Sequence, residues 1–212
     1  MENVDLLKFE KELYKEGYEL ICGCDEAGRG PLVGPVVAGA VILPKNYTLE
    51  GLTDSKKLSE KKREKYFEVI KQDALAYGIG IVDAKEIDEI NIYEASRLAM
   101  KKAIDEMTIE PDYVLTDAMP IPGYKVPVKS IIKGDALSIS IAAASVLAKV
   151  TRDHILYELD EKYPEYEFKK HKGYPTKRHL ELLKIYGPTK EYRFTYRPVH
   201  DLMEKGEVYE KV

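Results

Sequence analysis

The sequence predicts an α/β layer architecture: a central mixed β-sheet flanked by helices, with a helical region towards the C-terminal end. Three observations support this. Two β-like runs, 18–24 and 36–43, follow one another across a loop rich in glycine and proline, which suits an antiparallel pair. Further β-like runs then alternate with helical spacings, the order that builds layered sheets. Finally, 137–150 holds almost nothing large and polar before Lys149 and carries Ala142, Ala143 and Ala144 in succession. A helix that is small and apolar nearly all round packs centrally.

The elements can be justified in order. Residues 6–16 form a charged amphipathic stretch, read as a short helix laid on the body. The run 18–24 is the first strand, bounded by Asp25, and Gly28, Gly30, Pro31, Gly34 and Pro35 then punctuate a tight loop. After the second strand, Ser59 suits the N-cap of a helix reaching about residue 72, with Tyr66, Phe67 and Ile70 inward. Residues 76–82 make a third strand. Helical spacing through Ala95, Leu98, Ala99, Ala103 and Ile104 predicts a helix over 92–107. A short β run at 113–115 stops at Thr116-Asp117, and 126–132 suits another strand. The apolar helix at 137–150 follows, and one more helix is expected at 178–186. The body would span about 17–160 and a C-terminal cap 161–212.

Composition excludes several classes. The 212 residues carry a formal net charge of −4, with 44% hydrophobic and 33% charged residues, ordinary for a globular protein in water. No apolar run approaches a membrane span, and the first residues lack a signal peptide's basic and apolar regions. Cys22 and Cys24 sit two apart in a strand-like run and read as buried thiols on one face, not as a disulfide or metal pair. A cytoplasmic location is expected. Gly28-Arg29-Gly30 fails the phosphate-loop template because no Lys-Ser/Thr follows, which disfavours a nucleotide-binding switch.

Carboxylates gather at the ends of the expected strands: Asp25 and Glu26 after the first, Asp117 after 113–115, and Asp135 after 126–132. In α/β proteins strand ends on one edge are where sites form. Carboxylates brought together repel unless a cation neutralises them, and oxygen-only ligation favours Mg2+ or Mn2+ over zinc. Any one of the four, taken singly, is more often a helix cap or a turn residue.

Literal residues carry the identification further. Asp25-Glu26-Ala27-Gly28-Arg29-Gly30-Pro31-Leu32-Val33-Gly34-Pro35-Val36 resembles the signature of bacterial ribonuclease HII, as does Asp54-Ser55-Lys56-Lys57-Leu58. A third block runs from Lys133-Gly134-Asp135 through Ala142-Ala143-Ala144-Ser145 to Ala148-Lys149-Val150-Thr151-Arg152-Asp153. The fourth is His171-Lys172-Gly173-Tyr174-Pro175-Thr176. The blocks stand in family order and span nearly the whole chain. The resemblance implies an RNase H-like fold, a single type 2 ribonuclease H catalytic domain over 1–212, and four metal-binding catalytic carboxylates, Asp25, Glu26, Asp117 and Asp135, with Asp25 shared by two Mg2+ or Mn2+ ions. It implies hydrolysis 5′ of a ribonucleotide in an RNA/DNA hybrid or in duplex DNA, leaving 3′-hydroxyl and 5′-phosphate ends, in the service of ribonucleotide removal and RNA primer degradation.

The same resemblance gives substrate-binding roles to Gly28, Arg29 and Gly30, to Lys57 on a phosphate, and to Tyr174 against a deoxyribose. Each has a plainer alternative as a turn, a solvated lysine or an ordinary tyrosine. The loop has physical logic, since glycine lets the backbone approach a sugar and a 2′-hydroxyl both donates and accepts. Lys169, Lys170, Lys172, Lys177, Arg178, Lys184, Lys190, Arg193 and Arg197 offer a cationic footprint for phosphates. His171 is read as orienting its loop, and His154, His179 and His200 as surface or capping residues. A monomer is expected, with no membrane partner. Two competing readings are an inactive hybrid-binding protein, which would have lost a carboxylate, and a ribonuclease HIII-like enzyme, which departs from the Gly-Arg-Gly loop.

Overall fold

Ile21–Ala27 (β1) and Val36–Ile42 (β2) pair antiparallel, with Cys24 opposite Ala40 and Asp25 opposite Gly39. These and the following elements come from a computed structural model that describes residues 5–52, 55 and 58–206. Ala76–Val82 (β3) extends the antiparallel side along β2. On its other edge β1 pairs parallel with Tyr113–Asp117 (β4), which pairs parallel with Val128–Ile131 (β5). The mixed sheet therefore runs β3-β2-β1-β4-β5, as the antiparallel-then-alternating order predicts. The first strand lies later than the sequence suggested. Asp25 and Glu26 are strand residues, held by the ladder to β2, and do not follow the strand as loop residues.

Helices cover both faces. Lys8–Lys15 (α1) lies on the body, and Glu60–Asp73 (α2) begins at Ser59, whose hydroxyl accepts from the Lys62 N–H. Such a cap contributes about 1 kcal/mol. Ala84–Glu106 (α3) packs against β1, β2 and β3. It is longer than the 92–107 expected because Asp83 caps an additional first half. Asn91, at φ 67°, breaks the two halves and recaps the second by accepting from Tyr93 and Glu94. Ile139–Lys162 (α4) lies on the opposite face over β1 and β2, twelve residues past its expected end. Phe168–His171 (α5), Lys177–Tyr186 (α6) and Arg197–Lys205 (α7) complete the C-terminal region.

The small residues of α4 set how closely it approaches. A Cβ on Gly23 would stand 2.1 Å from the Ser140 carbonyl carbon, so the helix backbone rests directly on the strand backbone. Ala142, Ala143 and Ala144 are wholly buried there. Strand alternation then sorts the core: Cys22 and Cys24 face α3, while Val41 and its β1 partner Gly23 face α4. Both thiols are free and buried, and burial pushes Cys22 up to about 12, which keeps it protonated and inert. No helix among the described residues is long and apolar enough to cross a membrane.

Candidate metal centre

Register places the first two carboxylates. Because Cys24 stands beside Thr116 in the parallel pair, the next residues, Asp25 and Asp117, reach the same end of neighbouring strands. Asp25 shares the parity of Gly23, and Asp117 that of Leu115, which packs on Ile141 of α4. Both therefore project to the α4 side. The chain leaving β5 turns through Lys133, left-handed at φ 59°, into a 3-10 turn, Gly134–Ala136, just before α4. This turn carries Asp135 to the same side. The Gly134 N–H donates to Asp117 Oδ1 at 2.7 Å and fastens the turn to the strand end.

Asp25, Asp117 and Asp135 thus converge, each offering a carboxylate oxygen within 4.8 Å of the others. At an effective dielectric near 20, like charges at that separation repel by about 3–4 kcal/mol per pair. Burial first, then Glu26 and Asp117, hold the Asp25 carboxyl well above its usual range. Glu26 stands outside this group because it has the opposite strand parity. Burial raises it too, opposed by the Arg29 guanidinium at 3.5 Å. Its Oε2 is buried with no hydrogen-bond partner. An all-oxygen set that repels itself, with an orphaned carboxylate oxygen beside it, fits a hard divalent cation such as Mg2+ or Mn2+ and does not fit zinc.

The cluster opens into a cavity of about 320 Å³ lined also by Gly28, Arg29, Gly30, Ser55, Lys149 and Tyr174. Gly28 sits at φ 101°, and a Cβ there would meet Arg152 Nε at 2.2 Å, so only glycine fits. Gly30 is different: its added Cβ would reach only the Tyr174 ring, at 3.5 Å. The ring of Tyr174 is 45% exposed beside it. The expected loop and the expected aromatic therefore face one another across the cavity mouth. Lys57 lies outside the described residues.

Two arginines hold the loop from behind. Arg152 donates to the carbonyls of Val33, Pro35 and Lys172. Arg193 donates to those of Gly28, Arg29 and Gly34. Both are fully buried, which corrects the expectation that Arg193 belongs to a surface footprint. Its flanking aromatics, Tyr192 and Phe194, were the available sign of a partly interior segment. Lys149, given no role from sequence, lines the cavity as a half-buried cation bonded to Asp153 at 2.7 Å.

His179 is also buried, contrary to the surface or capping role expected. Its Nδ1–H donates to the Tyr174 carbonyl while Nε2 accepts from Tyr192. His171 donates from Nε2 to Tyr166 and accepts the Gly173 N–H at Nδ1. The two rings stack at 4.0 Å, and burial, then His171, pulls His179 down to about 4. Two neutral imidazoles thus set the backbone that presents Tyr174, which accords with His171 orienting its loop.

A family model described as Ribonuclease HII matches residues 22–201. Ribonuclease HII of Acholeplasma laidlawii (strain PG-8A) is 56% identical over 202 residues, 95% of this chain and 99% of that one. Ribonuclease HII of Bacillus subtilis (strain 168) is 58% identical over 196 residues, 92% of this chain and 76% of that one. Among solved structures, the ribonuclease H2 from Pyrococcus horikoshii OT3 aligns with a TM-score of 0.74 at 30% identity, covering 87% of this chain and 97% of that one.

Proposed function

Because the chain belongs to the ribonuclease HII family, and is by that membership a ribonuclease H endonuclease, we propose that it cuts 5′ of ribonucleotides in RNA/DNA hybrids and of single ribonucleotides in duplex DNA, by a two-metal mechanism. The observation that carries this reading is the convergence of Asp25, Asp117 and Asp135 beside the glycine loop. Asp25, Asp117 and Asp135 would hold Mg2+ or Mn2+, and Glu26, the next residue of β1 and a lining residue of the same cavity, would complete the set. Ions held there would supply charge neutralisation and an activated water for in-line attack at the phosphodiester, with 3′-hydroxyl and 5′-phosphate ends as products.

The protein's own groups do the rest. Gly28, Arg29 and Gly30 bring backbone close to the sugar, where a 2′-hydroxyl can be told from hydrogen. The Tyr174 ring packs against the adjoining deoxyribose, a platform indifferent to base sequence. Lys57 meets a backbone phosphate, and exposed Lys169, Lys170, Lys177, Lys184, Lys190 and Arg197 draw in the duplex. We place the enzyme in the cytoplasm as a monomer, removing ribonucleotides and RNA primers from DNA.

A duplex with one embedded ribonucleotide should be nicked on its 5′ side with Mg2+ or Mn2+ and stay whole in EDTA. Cutting on the 3′ side, or cutting in EDTA, would refute the mechanism. The two loop glycines should also separate. Gly28→Ala should cost about 2 kcal/mol or more in a denaturation experiment, through backbone strain and the clash with Arg152. Gly30→Ala should change stability by no more than about 0.5 kcal/mol yet slow nicking about tenfold, because the methyl stands between loop and ring. Full activity in Gly30→Ala would contradict sugar contact at this loop.

A further inference from the structure

Arg193 is a buried cation whose donors serve the loop. Nη2 reaches the Gly28 carbonyl at 2.6 Å and Nη1 the Arg29 carbonyl at 3.1 Å. Tyr196 joins them: its hydroxyl accepts from Arg193 Nη1 at 3.0 Å and donates to the Arg29 carbonyl at 2.6 Å. The carboxylate that acts on this guanidinium, Asp88, is itself occupied by the Phe194 and Thr195 N–H groups. The positive charge behind the loop is therefore spent on peptide carbonyls.

A trans peptide plane carries its C=O and N–H in opposite directions. With the Gly28 and Arg29 carbonyls turned inward to Arg193, the N–H groups of Arg29 and Gly30 turn outward. Those two residues are exposed and line the cavity. Among the described residues neither N–H has an acceptor within the chain. A cation on the oxygen of a peptide makes the N–H of the same plane a stronger donor, because linked hydrogen bonds polarise one another. Two adjacent outward donors, both backed by one charge, form an acceptor-binding concavity.

We propose that Arg193, with Tyr196 relaying to it, is the positioning residue that sets ribose specificity, by fixing and polarising the Arg29 and Gly30 N–H groups for a sugar 2′ oxygen. This rests on the reading of the loop as the sugar-sensing part. A deoxyribose offers no oxygen there, so these donors discriminate and do not merely hold the duplex. Arg152, equally buried, backs the carbonyls of Val33 and Pro35 and leaves these two planes alone.

The test compares the parent with Arg193→Lys and Tyr196→Phe, the second being the milder change should the first fail to fold. Binding of a one-ribonucleotide duplex and of the matched all-DNA duplex is measured in EDTA, where no strand is cut. Backbone amide resonances of Arg29 and Gly30 are followed in labelled protein. The expected result is loss of ribonucleotide preference, about tenfold in Arg193→Lys and about threefold in Tyr196→Phe. Affinity for the all-DNA duplex should hold within about twofold, and both amide protons should move upfield. Parallel weakening on both duplexes, or an unchanged preference, overturns the proposal. If the parent itself shows no preference, the sugar-sensing reading fails separately, and the amide resonances alone decide: unmoved peaks overturn the role of Arg193.

Discussion

Asp117→Asn is expected to abolish strand cutting, by about a thousandfold or more, while making the metal-free protein more stable. On the proposed metal-holding role, losing the Asp117 carboxylate would remove several kcal/mol of stabilisation from the reacting phosphate, and each 1.4 kcal/mol is tenfold in rate. Stability should move the other way. Three carboxylates within 4.8 Å oppose one another, and Asp25, raised by burial and then by Glu26 and Asp117, is a liability to the fold at neutral pH. A carboxyl raised above its unfolded value favours the fold below that value and loses this contribution as pH rises through the folded one. Asparagine removes one source of the repulsion and keeps an oxygen for the Gly134 N–H. Thermal melts in EDTA near pH 7 should show a gain of about 1–2 kcal/mol. A variant that is inactive and also much less stable would point to a structural Asp117; one that cuts at the parent rate would remove it from the centre.

Mild acid should destabilise the protein through His179. Its folded pKa, about 4, lies below the unfolded value near 6.5, so the unfolded chain binds the extra proton first as pH falls. The stability gained by burying neutral imidazole is intact above about pH 6.5 and is lost progressively down to about pH 4. At about 1.4 kcal/mol per pH unit, the loss approaches about 3 kcal/mol by pH 4. His171, also lowered by burial, acts in the same direction. Urea denaturation of the parent and His179→Asn across this range should give converging curves, the variant being weaker at pH 7 but flatter in acid. Parallel curves would show that the acid sensitivity arises elsewhere.

Much of this architecture was legible because local pattern and long-range packing agree. Ser59 caps α2 as its sequence suggests, β3 occupies 76–82, and the alanine run of α4 is as central as its composition requires. The motif blocks located three converging carboxylates, the loop and Tyr174. What escaped did so for definable reasons. The first half of α3 is hidden because Asn91 breaks the helical period, although Asp83 and Glu86 carry a capping pattern. The end of α4 was missed because its apolar face narrows once it leaves the sheet. Strand parity, not spacing in the chain, separates Glu26 from the other three acids. Arg193 and His179 look like surface residues by type, and their burial depends on partners as remote as Gly28 and Tyr192.

The parallel pairing of β1 with β4 also bears on how the enzyme comes into being. The segments that carry Asp25 and Asp117 are made roughly ninety residues apart, and Asp135 follows later still. Contacts of such long sequence separation form late and slowly, since loop-closure entropy must be met before they contribute. A growing polypeptide can pair β1 with β2, joined by the short 28–35 loop, while Asp117 and Asp135 are still unmade. The acidic cluster therefore exists only in the finished tertiary structure, and no fragment that ends before Asp135 can assemble it.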